Sequence, residues 1–173
     1  MLRPARDSDV PTMLAWRNQD ANRAVSTYQH VITADEHARW WAAVQADPTR
    51  RVLVFEKDGR DLGVVTFFDL DAEARTGGWG FYLDHETVTA EGIAMLVWIA
   101  VMGDATAYAF DELGLDVLSG EVNDQNEAVR MMNRRFRFAE GEPRTLEDGR
   151  VFLPITLRRE DRRAPKTSKR GQQ

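Results

Sequence analysis

The chain has 173 residues, of which 43% are hydrophobic and 29% are charged, a balance that predicts one soluble globular domain. It has no cysteine, which excludes a disulfide framework, a thiolate nucleophile and a cysteine-ligated metal. The net charge of −5 argues against a nucleic-acid partner. The start of the chain lacks a signal-peptide pattern, and the longest apolar run, residues 93–102, is too short to span a bilayer. We therefore expect a cytoplasmic protein without a membrane partner.

The N-terminal half predicts a short strand, two helices and a pair of strands. A strand at residues 2–5 is followed by a helix that ends at Asn18, with apolar residues at helical spacing. Thr33 and Glu36 have the spacing of a capping box, so a second helix should begin there. An Asp-Gly pair, typical of a hairpin turn, lies between the next two strands. Those strands are predicted at residues 52–56 and 62–68.

The C-terminal half predicts four more strands and two longer helices. One helix begins near Thr89 and ends before Gly114, and Asn126 opens the other. The strands are predicted at residues 79–83, 115–122, 138–142 and 151–157. We therefore expect residues 1–157 to form a single domain and the basic residues 158–173 to form a flexible tail.

Residues 89–94, at the predicted start of the longer helix, resemble a known cofactor loop. Gly92 and Ala94 fit the pyrophosphate loop of the Gcn5-related N-acetyltransferase (GNAT) superfamily, whereas Thr89 stands where that superfamily has Gln or Arg. The unpaired amides at a helix start favour a pyrophosphate, and a glycine lets it approach the backbone. The resemblance implies acetyl-CoA as a co-substrate.

A second block begins at Asn126 and resembles the GNAT segment in which an asparagine opens a helix that ends in Gly-Phe. Arg137 stands where that glycine is usual. Asn133 stands where many relatives have a tyrosine that protonates the departing thiolate. An amide cannot supply that proton, so another group or water protonates the sulfur, or the thiolate leaves as such. Asn133 is one of our candidate catalytic residues.

The order of the predicted elements is also that of the GNAT fold. The resemblance implies an α/β (α+β) domain with a mixed, mostly antiparallel sheet of about seven strands and about four flanking helices. In this family strands 4 and 5 splay apart, which leaves backbone groups near residues 81–83 able to pair with pantetheine. The predicted cofactor-binding residues are Phe81, Tyr82, Leu83, Thr89, Ala90, Glu91, Gly92, Ile93, Ala94, Asn126, Arg130 and Arg134.

The amine must be neutral to attack a thioester, so the site requires a base that acts directly or through water. Glu121 ends a strand beside the expected cleft, and His37 lies in the N-terminal half, which should face the substrate. His30 and the three residues at 84–86 are further candidates. Positioning and backbone stabilisation of an oxyanion can provide much of the catalysis, so the sequence leaves the base open.

A further resemblance, found mainly in the N-terminal half, narrows the class of possible substrates. An Arg-Asn pair ends the first helix, residues 32–37 open the second, and residues 133–136 read Asn-Arg-Arg-Phe. These features resemble the ribosomal-protein N-acetyltransferase-like (RimJ/RimL) branch, and within it the enzymes that acetylate nucleotide-linked amino sugars in pseudaminic acid-type pathways. The resemblance implies a small-molecule primary amine as substrate and direct transfer in a ternary complex. The predicted substrate-binding residues are Arg17, Asn18, Tyr28, His30 and Trp40.

Three alternatives stand beside this hypothesis. A protein N-terminal acetyltransferase is the main one, because the same branch contains both activities. The second alternative is a catalytically inactive acyl-CoA-binding module. It would explain why Thr89, Asn133 and Arg137 differ from the residues usual in the GNAT superfamily. Asp69 and Asp71 form the Asp-x-Asp pattern of metal-dependent glycosyltransferases, although a hairpin turn explains that pattern and no nucleotide-binding unit accompanies it. We expect no metal site, and a monomer or homodimer.

Overall fold

A computed structural model describes residues 1–163, which form one eight-stranded sheet and six α-helices. The strands are β1 (Leu2–Pro4), β2 (Arg51–Lys57), β3 (Arg60–Asp71), β4 (Thr76–Leu83), β5 (Val117–Asn123), β6 (Ala139–Glu140), β7 (Arg144–Thr145) and β8 (Val151–Arg158). The helices are α1 (Val10–Arg17), α2 (Asp20–Val25), α3 (Ala34–Ala46), α4 (His85–Ala90), α5 (Ala94–Ala107) and α6 (Glu127–Arg135). The strand order is β1-β2-β3-β4-β5-β8-β6, and β7 also pairs with β8. The predicted mixed, mostly antiparallel α/β sheet is confirmed, with one strand and two helices more than expected.

Turn and cap residues place the first half of the sheet where the sequence predicts it. Thr33 Oγ1 accepts a hydrogen bond from the Glu36 amide at 3.2 Å, and Glu36 Oε2 accepts one from the Thr33 amide at 2.7 Å. Asp58 and Gly59 have φ angles of 53° and 74°, the left-handed backbone that a tight hairpin turn requires. Strands β1 to β4 therefore form an antiparallel meander.

Helices α1 and α3 pack on one face of this meander, and α2 is an addition to the predicted elements. Gln19 is extended, with a ψ angle of 136°, and separates α1 from α2. Asn22 of α2 donates Nδ2 to the carbonyl oxygens of Trp16 and Leu83, both at 2.8 Å. These bonds fix α2 beside the end of β4. The smaller core beneath the helices consists of Met13, Trp16, Val44, Val52 and Val64.

The opposite face of the sheet carries the main core, which is built around α5. Together with the π-helical turn that follows it, α5 forms a stretch of 19 residues that by length and composition alone could cross a membrane. Val97, Val101 and Phe110 of this stretch are at most 1% exposed and pack in the main core. We therefore interpret it as the core helix of a globular domain.

Residues beyond the predicted end of the domain continue the fold. Strand β8 includes Arg158, and Arg159 Nε donates to Asp116 Oδ1 at 3.1 Å. Arg162 Nη1 donates to Asp111 Oδ1 at 2.7 Å. These contacts join Arg158, Arg159 and Arg162 to the domain, whose end the sequence predicts at residue 157. The rest of the predicted tail, residues 164–173, lies outside the described residues.

Candidate active site

Strands β4 and β5 pair at one end and then separate, as the family resemblance implies. Their parallel ladder joins residues 76–78 to residues 117–119. A Cβ atom at Gly120 would lie 3.1 Å from the Trp79 carbonyl oxygen, so the glycine permits the close approach where the strands part. Beyond this fork, residues 79–83 pair with β3 only. The other edge of β4 can therefore offer its backbone groups to a ligand.

A cavity of about 480 Å³ occupies the gap between the separated strands, and we call it the fork cavity. Strand β4 lines one side of it, and β5 and α6 line the other. Trp98 of α5 is also part of its wall. The predicted site residues that the fork cavity brings together are Phe81, Tyr82, Leu83, His85, Glu121, Asn126 and Asn133.

A second cavity, of about 590 Å³, adjoins the first, and we call it the outer cavity. Its wall includes Asp69 after β3, Gly78 of β4 and Pro154 of β8. Trp79 and Glu121 line both cavities. The two cavities therefore share these two residues in their walls.

Two side-chain donors in the wall of the fork cavity are buried without a partner. Asn133 Nδ2 and Trp79 Nε1 make no hydrogen bond within residues 1–163, and the two residues are 2% and 5% exposed. The Trp79 ring stacks on Phe81 and Phe138, with centroid distances of 5.6 and 5.7 Å. Buried polar groups normally have a hydrogen-bond partner. These two donors are therefore exceptions within the described residues.

The predicted pyrophosphate loop forms the junction between α4 and α5. The prediction of one helix starting near Thr89 is wrong, because Thr89 belongs to α4 and the chain turns at Gly92, with φ at 68°, before α5 begins at Ala94. Ile93 caps α5 without a side-chain hydrogen bond, so the first amides of α5 have no intrahelical acceptor. A Cβ atom at Gly92 would meet no atom within 4 Å. Free amides beside open space fit a pyrophosphate group.

Glu91 brings a negative charge into this junction, and Arg60 offsets it. Arg60 Nη1 donates to Glu91 Oε1 at 2.7 Å, and Nη2 donates to Oε2 at 2.8 Å. The Arg60 side chain lowers the pKa of Glu91, and Glu91 raises the pKa of Arg60. A phosphate at the junction therefore faces a neutralised carboxylate. Arg60 was not predicted as a site residue, because its partner lies 31 residues away in the sequence.

Helix α6 carries the second predicted block. Asn126 caps it, since its Oδ1 accepts a hydrogen bond from the Val129 amide at 3.3 Å. Arg130 donates Nε and Nη2 to the Glu140 carboxylate, both at 2.9 Å, and Nη1 to a backbone carbonyl. Arg134 Nη2 contacts the same carboxylate at 3.1 and 3.2 Å, and its side chain is 57% exposed. Of the two arginines, Arg134 is therefore better placed to reach a CoA phosphate.

The structure separates two of the predicted base candidates, Glu121 and His37. Glu121 lies where the two cavities meet, and Arg144 of β7 donates hydrogen bonds to its carboxylate. His37 is 2% exposed, stacks on Trp40 with ring centroids 4.9 Å apart, and lines neither the fork cavity nor the outer cavity. Neither ring nitrogen of His37 has a partner within the described chain, and burial lowers its pKa. The geometry supports a role for Glu121 and does not support the predicted catalytic role of His37.

Two of the predicted substrate-binding residues, Arg17 and Asn18, hold the segment between α2 and α3. Arg17 Nη2 donates to the Tyr28 carbonyl oxygen at 3.1 Å. Asn18 Nδ2 donates to the Ile32 carbonyl oxygen at 2.8 Å, and its Oδ1 accepts from the Ile32 amide at 2.9 Å. Ser26 of this segment lines the fork cavity, and Thr27 lines the outer cavity. The five predicted residues do not line either cavity themselves; they are Arg17, Asn18, Tyr28, His30 and Trp40.

Besides Arg60, two further residues of the site were beyond the sequence predictions. Trp79 alternates with Phe81 and Leu83, a pattern that indicates core residues and gives no sign of an unpartnered indole nitrogen. Arg144 belongs to β7, which has two residues and is too short to leave a periodic pattern. Their roles depend on contacts between segments that are distant in the sequence.

The fork between two parallel strands, the cavity within it and the uncapped start of α5 define the protein as an acetyltransferase of the acetyl-CoA-dependent class. The chain belongs to the GNAT family, because the family model described as "Acetyltransferase (GNAT) domain" matches residues 1–139. GNAT acetyltransferases use acetyl-CoA, and acetyl-CoA is accordingly the acetyl donor of this enzyme.

Solved structures share this fold at low sequence identity. The spermidine N-acetyltransferase of Vibrio cholerae in complex with CoA and spermine is 14% identical, with a TM-score of 0.76 over 93% of this chain and 96% of that chain. The N-acetyltransferase PseH of Campylobacter jejuni is 15% identical, with a TM-score of 0.66 over 92% of this chain and 97% of that chain. A dodecameric form of the Vibrio cholerae enzyme is 17% identical, with a TM-score of 0.71 over 91% and 92% of the two chains. No curated protein sequence matches the chain.

Proposed function

We propose that the protein transfers the acetyl group of acetyl-CoA directly to the primary amine of a small molecule, and that this amine belongs to a nucleotide-linked amino sugar. The observation that carries the proposal is the meeting of the fork and outer cavities at Trp79 and Glu121. Two adjoining cavities can hold the two reactants at once, as a ternary complex requires. The chain has no cysteine that could form an acyl-thioester with the enzyme.

The donor side of the proposal uses the free edge of β4 and the start of α5. Backbone groups of residues 81–83 pair with the amides of pantetheine, and Asn126 lies beside them in the fork cavity. The amides that follow Ile93 receive the pyrophosphate. When bound there, acetyl-CoA supplies the activated acetyl group. Glu121 then faces the incoming amine from the junction of the cavities and can orient it or accept its proton.

The acceptor class is supported by the resemblance to the RimJ/RimL branch, and within it to the enzymes that acetylate nucleotide-linked amino sugars. Arg17, which belongs to that resemblance, lines neither the fork cavity nor the outer cavity, so it acts through the segment between α2 and α3 that it holds. An amino sugar nucleotide carries a phosphate, whereas a polyamine does not, and this difference separates the two acceptor classes in an assay.

A polyamine is the second candidate acceptor, because a structural neighbour binds spermine together with CoA. A protein N-terminal amine is the third, since the RimJ/RimL branch contains that activity. Titration calorimetry with acetyl-CoA, followed by a thiol-release assay with amino sugar nucleotides, spermidine and N-terminal peptides, compares them directly. We expect acetyl-CoA to bind. We expect the CoA thiol to be released efficiently only when an amino sugar nucleotide is the acceptor. Binding without thiol release for any amine would instead indicate an inactive acyl-CoA-binding module.

We also propose that the enzyme works in the cytoplasm as a monomer or homodimer. The absence of cysteine from the chain is compatible with a reducing compartment. One structural neighbour forms a dodecamer, so light scattering of this protein with and without acetyl-CoA is the appropriate test. A mass above that of a dimer would contradict the proposed assembly.

A further inference from the structure

The residues that lead from α2 toward α3 connect the two sides of the fork. On the β4 side, Asn22 donates its Nδ2 to the carbonyl oxygen of the last residue of that strand at 2.8 Å. On the other side, Arg150 directly precedes β8, the strand that pairs with β5. Its Nη1 and Nη2 donate to the carbonyl oxygens of Ser26 and Thr27, at 2.9 and 2.8 Å. Residues 22–27 therefore join the strands that separate at the fork, and we call them the bridging segment.

Arg150 provides the connection on the β8 side. Within residues 1–163, no other hydrogen bond joins residues 20–33 to the part of the chain after residue 100. A third cavity, of about 520 Å³, lies between α2 and this side of the fold, and it is lined by α2, by residues 123–126 and by residues 148–151. Packed side chains therefore do not fill this space. The position of the bridging segment depends on the two hydrogen bonds from Arg150.

The Arg150 side chain is itself held in place. Its Nε donates to Asp148 Oδ2 at 2.8 Å, its backbone amide donates to Asp148 Oδ1 at 3.1 Å, and its guanidinium carbon lies 5.8 Å from the centroid of the Phe152 ring. The hydrogen bonds from Arg150 lower the pKa of Asp148, so this carboxylate stays charged. A planar guanidinium oriented in this way directs two N–H groups at neighbouring carbonyl oxygens. A lysine has no such fixed fork of donors.

The bridging segment is part of the wall of both cavities of the candidate active site. Ser26 lines the fork cavity, and Thr27 lines the outer cavity. Arg150 holds the carbonyl groups of both residues, so it acts where this wall passes from one cavity to the other. Thr27 shares the outer cavity with Glu121, which faces the acceptor in the proposed function. The position of the bridging segment therefore bears most directly on the acceptor.

We propose that Arg150 is a positioning residue for the acceptor. It holds the bridging segment in the conformation that completes the outer cavity, and the acceptor then binds to a wall that is already ordered. This inference rests on the proposed function. Without Arg150, part of the free energy of acceptor binding goes into ordering the segment, which weakens the observed affinity. The affinity for acetyl-CoA is less affected, because pantetheine pairs with the backbone of residues 81–83 in the proposed function.

The test compares the parent with Arg150→Met and Arg150→Lys in steady-state kinetics with both substrates varied. The acceptor is the one on which the parent turns over: an amino sugar nucleotide, spermidine or an N-terminal peptide. We expect Arg150→Met to raise the KM of the acceptor by about tenfold, with kcat and the calorimetric affinity for acetyl-CoA near the parent values. Arg150→Lys keeps the charge and should raise that KM by less. Amide hydrogen exchange of residues 24–32 should be faster in Arg150→Met than in the parent.

Arg159→Met is the matched control, because Arg159 makes the same kinds of contact away from the site. Its Nε donates to Asp116 Oδ1, and its Nη2 donates to the carbonyl oxygens of Phe110 and Leu115. It lines none of the three cavities. We expect Arg159→Met to lower the thermal unfolding temperature and to leave the KM of the acceptor unchanged. An equal rise of this KM in both methionine variants would indicate general destabilisation and would overturn the inference.

A parent-like KM for the acceptor in folded Arg150→Met would also overturn the inference. If Arg150→Met does not fold, Asp148→Asn makes the same comparison, because it removes the carboxylate that orients the guanidinium and leaves the arginine in place. Asp148→Asn should raise the KM of the acceptor without changing the affinity for acetyl-CoA, and unchanged values of both would contradict the inference. A parent enzyme that binds no acetyl-CoA, or that turns over none of the three acceptors, would instead contradict the proposed function, and with it the role of Arg150.

Discussion

Arg144 on β7 holds the carboxylate of Glu121 on β5 through three hydrogen bonds. Its Nε and Nη2 donate to Glu121 Oε1 at 3.1 and 3.0 Å, and Nη2 also donates to Oε2 at 2.8 Å. The two side chains are 52% and 40% exposed, so the ion pair contributes little to folding. Its effect is on orientation, because it fixes the one carboxylate shared by the fork and outer cavities.

If Glu121 orients the amine or accepts its proton, Glu121→Gln should lower kcat/KM for the acceptor by about 100-fold, the lower end of what a general base contributes. The KM for acetyl-CoA should change little. Arg144→Met releases the carboxylate without removing it, and we expect a smaller loss of about tenfold. Steady-state kinetics with both substrates varied makes the comparison. Parent-like kinetics in Glu121→Gln would place the proton acceptor elsewhere.

Gly92 allows a test of the pyrophosphate site. Its φ of 68° strains any residue with a Cβ, so Gly92→Ala should lower the free energy of unfolding by about 1 kcal/mol. Gly92→Leu carries the same backbone strain and adds bulk to the open space beside the amides of α5. We expect Gly92→Leu to bind acetyl-CoA much more weakly than Gly92→Ala in titration calorimetry.

The matched control is Gly103, which lies within α5 and would also meet no atom within 4 Å if it carried a Cβ. Gly103→Ala should raise the free energy of unfolding by about 0.5–1 kcal/mol, since alanine favours a helix interior. Its affinity for acetyl-CoA should equal that of the parent. Similar affinities for the Ala and Leu variants at position 92 would show that the pyrophosphate lies elsewhere.

The elements that the sequence predicts well are those with local causes. The capping box of Thr33 and Glu36 and the cap at Asn126 satisfy amides within three residues, and both occur in the structure. The fork was expected only through the family resemblance, because it depends on the pairing of residues 76–78 with residues 117–119. No local pattern encodes a ladder that stops after three pairs. The pairs of Arg60 with Glu91 and of Arg144 with Glu121 have the same non-local origin.

Arg137, which stands where the family usually has glycine, adopts a backbone angle that glycine favours. Its φ angle is 69°, in the left-handed region that favours glycine, and it ends α6 by donating its amide to the Arg134 carbonyl oxygen. The sequence identified the unusual residue but could not assign a backbone angle to it. The family glycine is thus explained by helix termination, independently of any contact with a cofactor.

Glu140 should make the free energy of unfolding depend on pH in the acidic range. Its hydrogen bonds with Arg130, and then with Arg134, lower its pKa to about 2, below the ordinary value of 4.5. A depressed carboxyl pKa stabilises the folded protein above the unfolded pKa, and this stabilisation is lost as pH falls from about 4.5 to about 2. Urea unfolding across this range should show a smaller loss of stability in Glu140→Gln than in the parent. Parallel pH profiles would mean that the Glu140 contacts do not persist in solution.

Arg134 is the exposed member of the same cluster and the better candidate for a CoA phosphate. Arg134→Ala should distinguish CoA from dephospho-CoA less than the parent does, because the missing phosphate is the group that the arginine would bind. Competition against acetyl-CoA provides the two affinities. Arg135→Ala, one residue further along α6, is the control for a general loss of positive charge. Equal discrimination in the parent and in Arg134→Ala would remove Arg134 from the cofactor site.

His37 should affect stability rather than catalysis. Its ring is buried against Trp40 and burial lowers its pKa below 6.5, so the folded protein holds it neutral. Protonation then favours the unfolded chain, and stability should fall as pH decreases through about 6.5. His37→Phe keeps a stacking ring and removes both unpartnered nitrogens. We expect thermal unfolding of this variant to depend less on pH between about 7 and about 5, while kcat/KM equals that of the parent. A folded His37→Phe enzyme with a large loss of kcat would instead make His37 the base, and would require α3 to move toward the outer cavity during turnover.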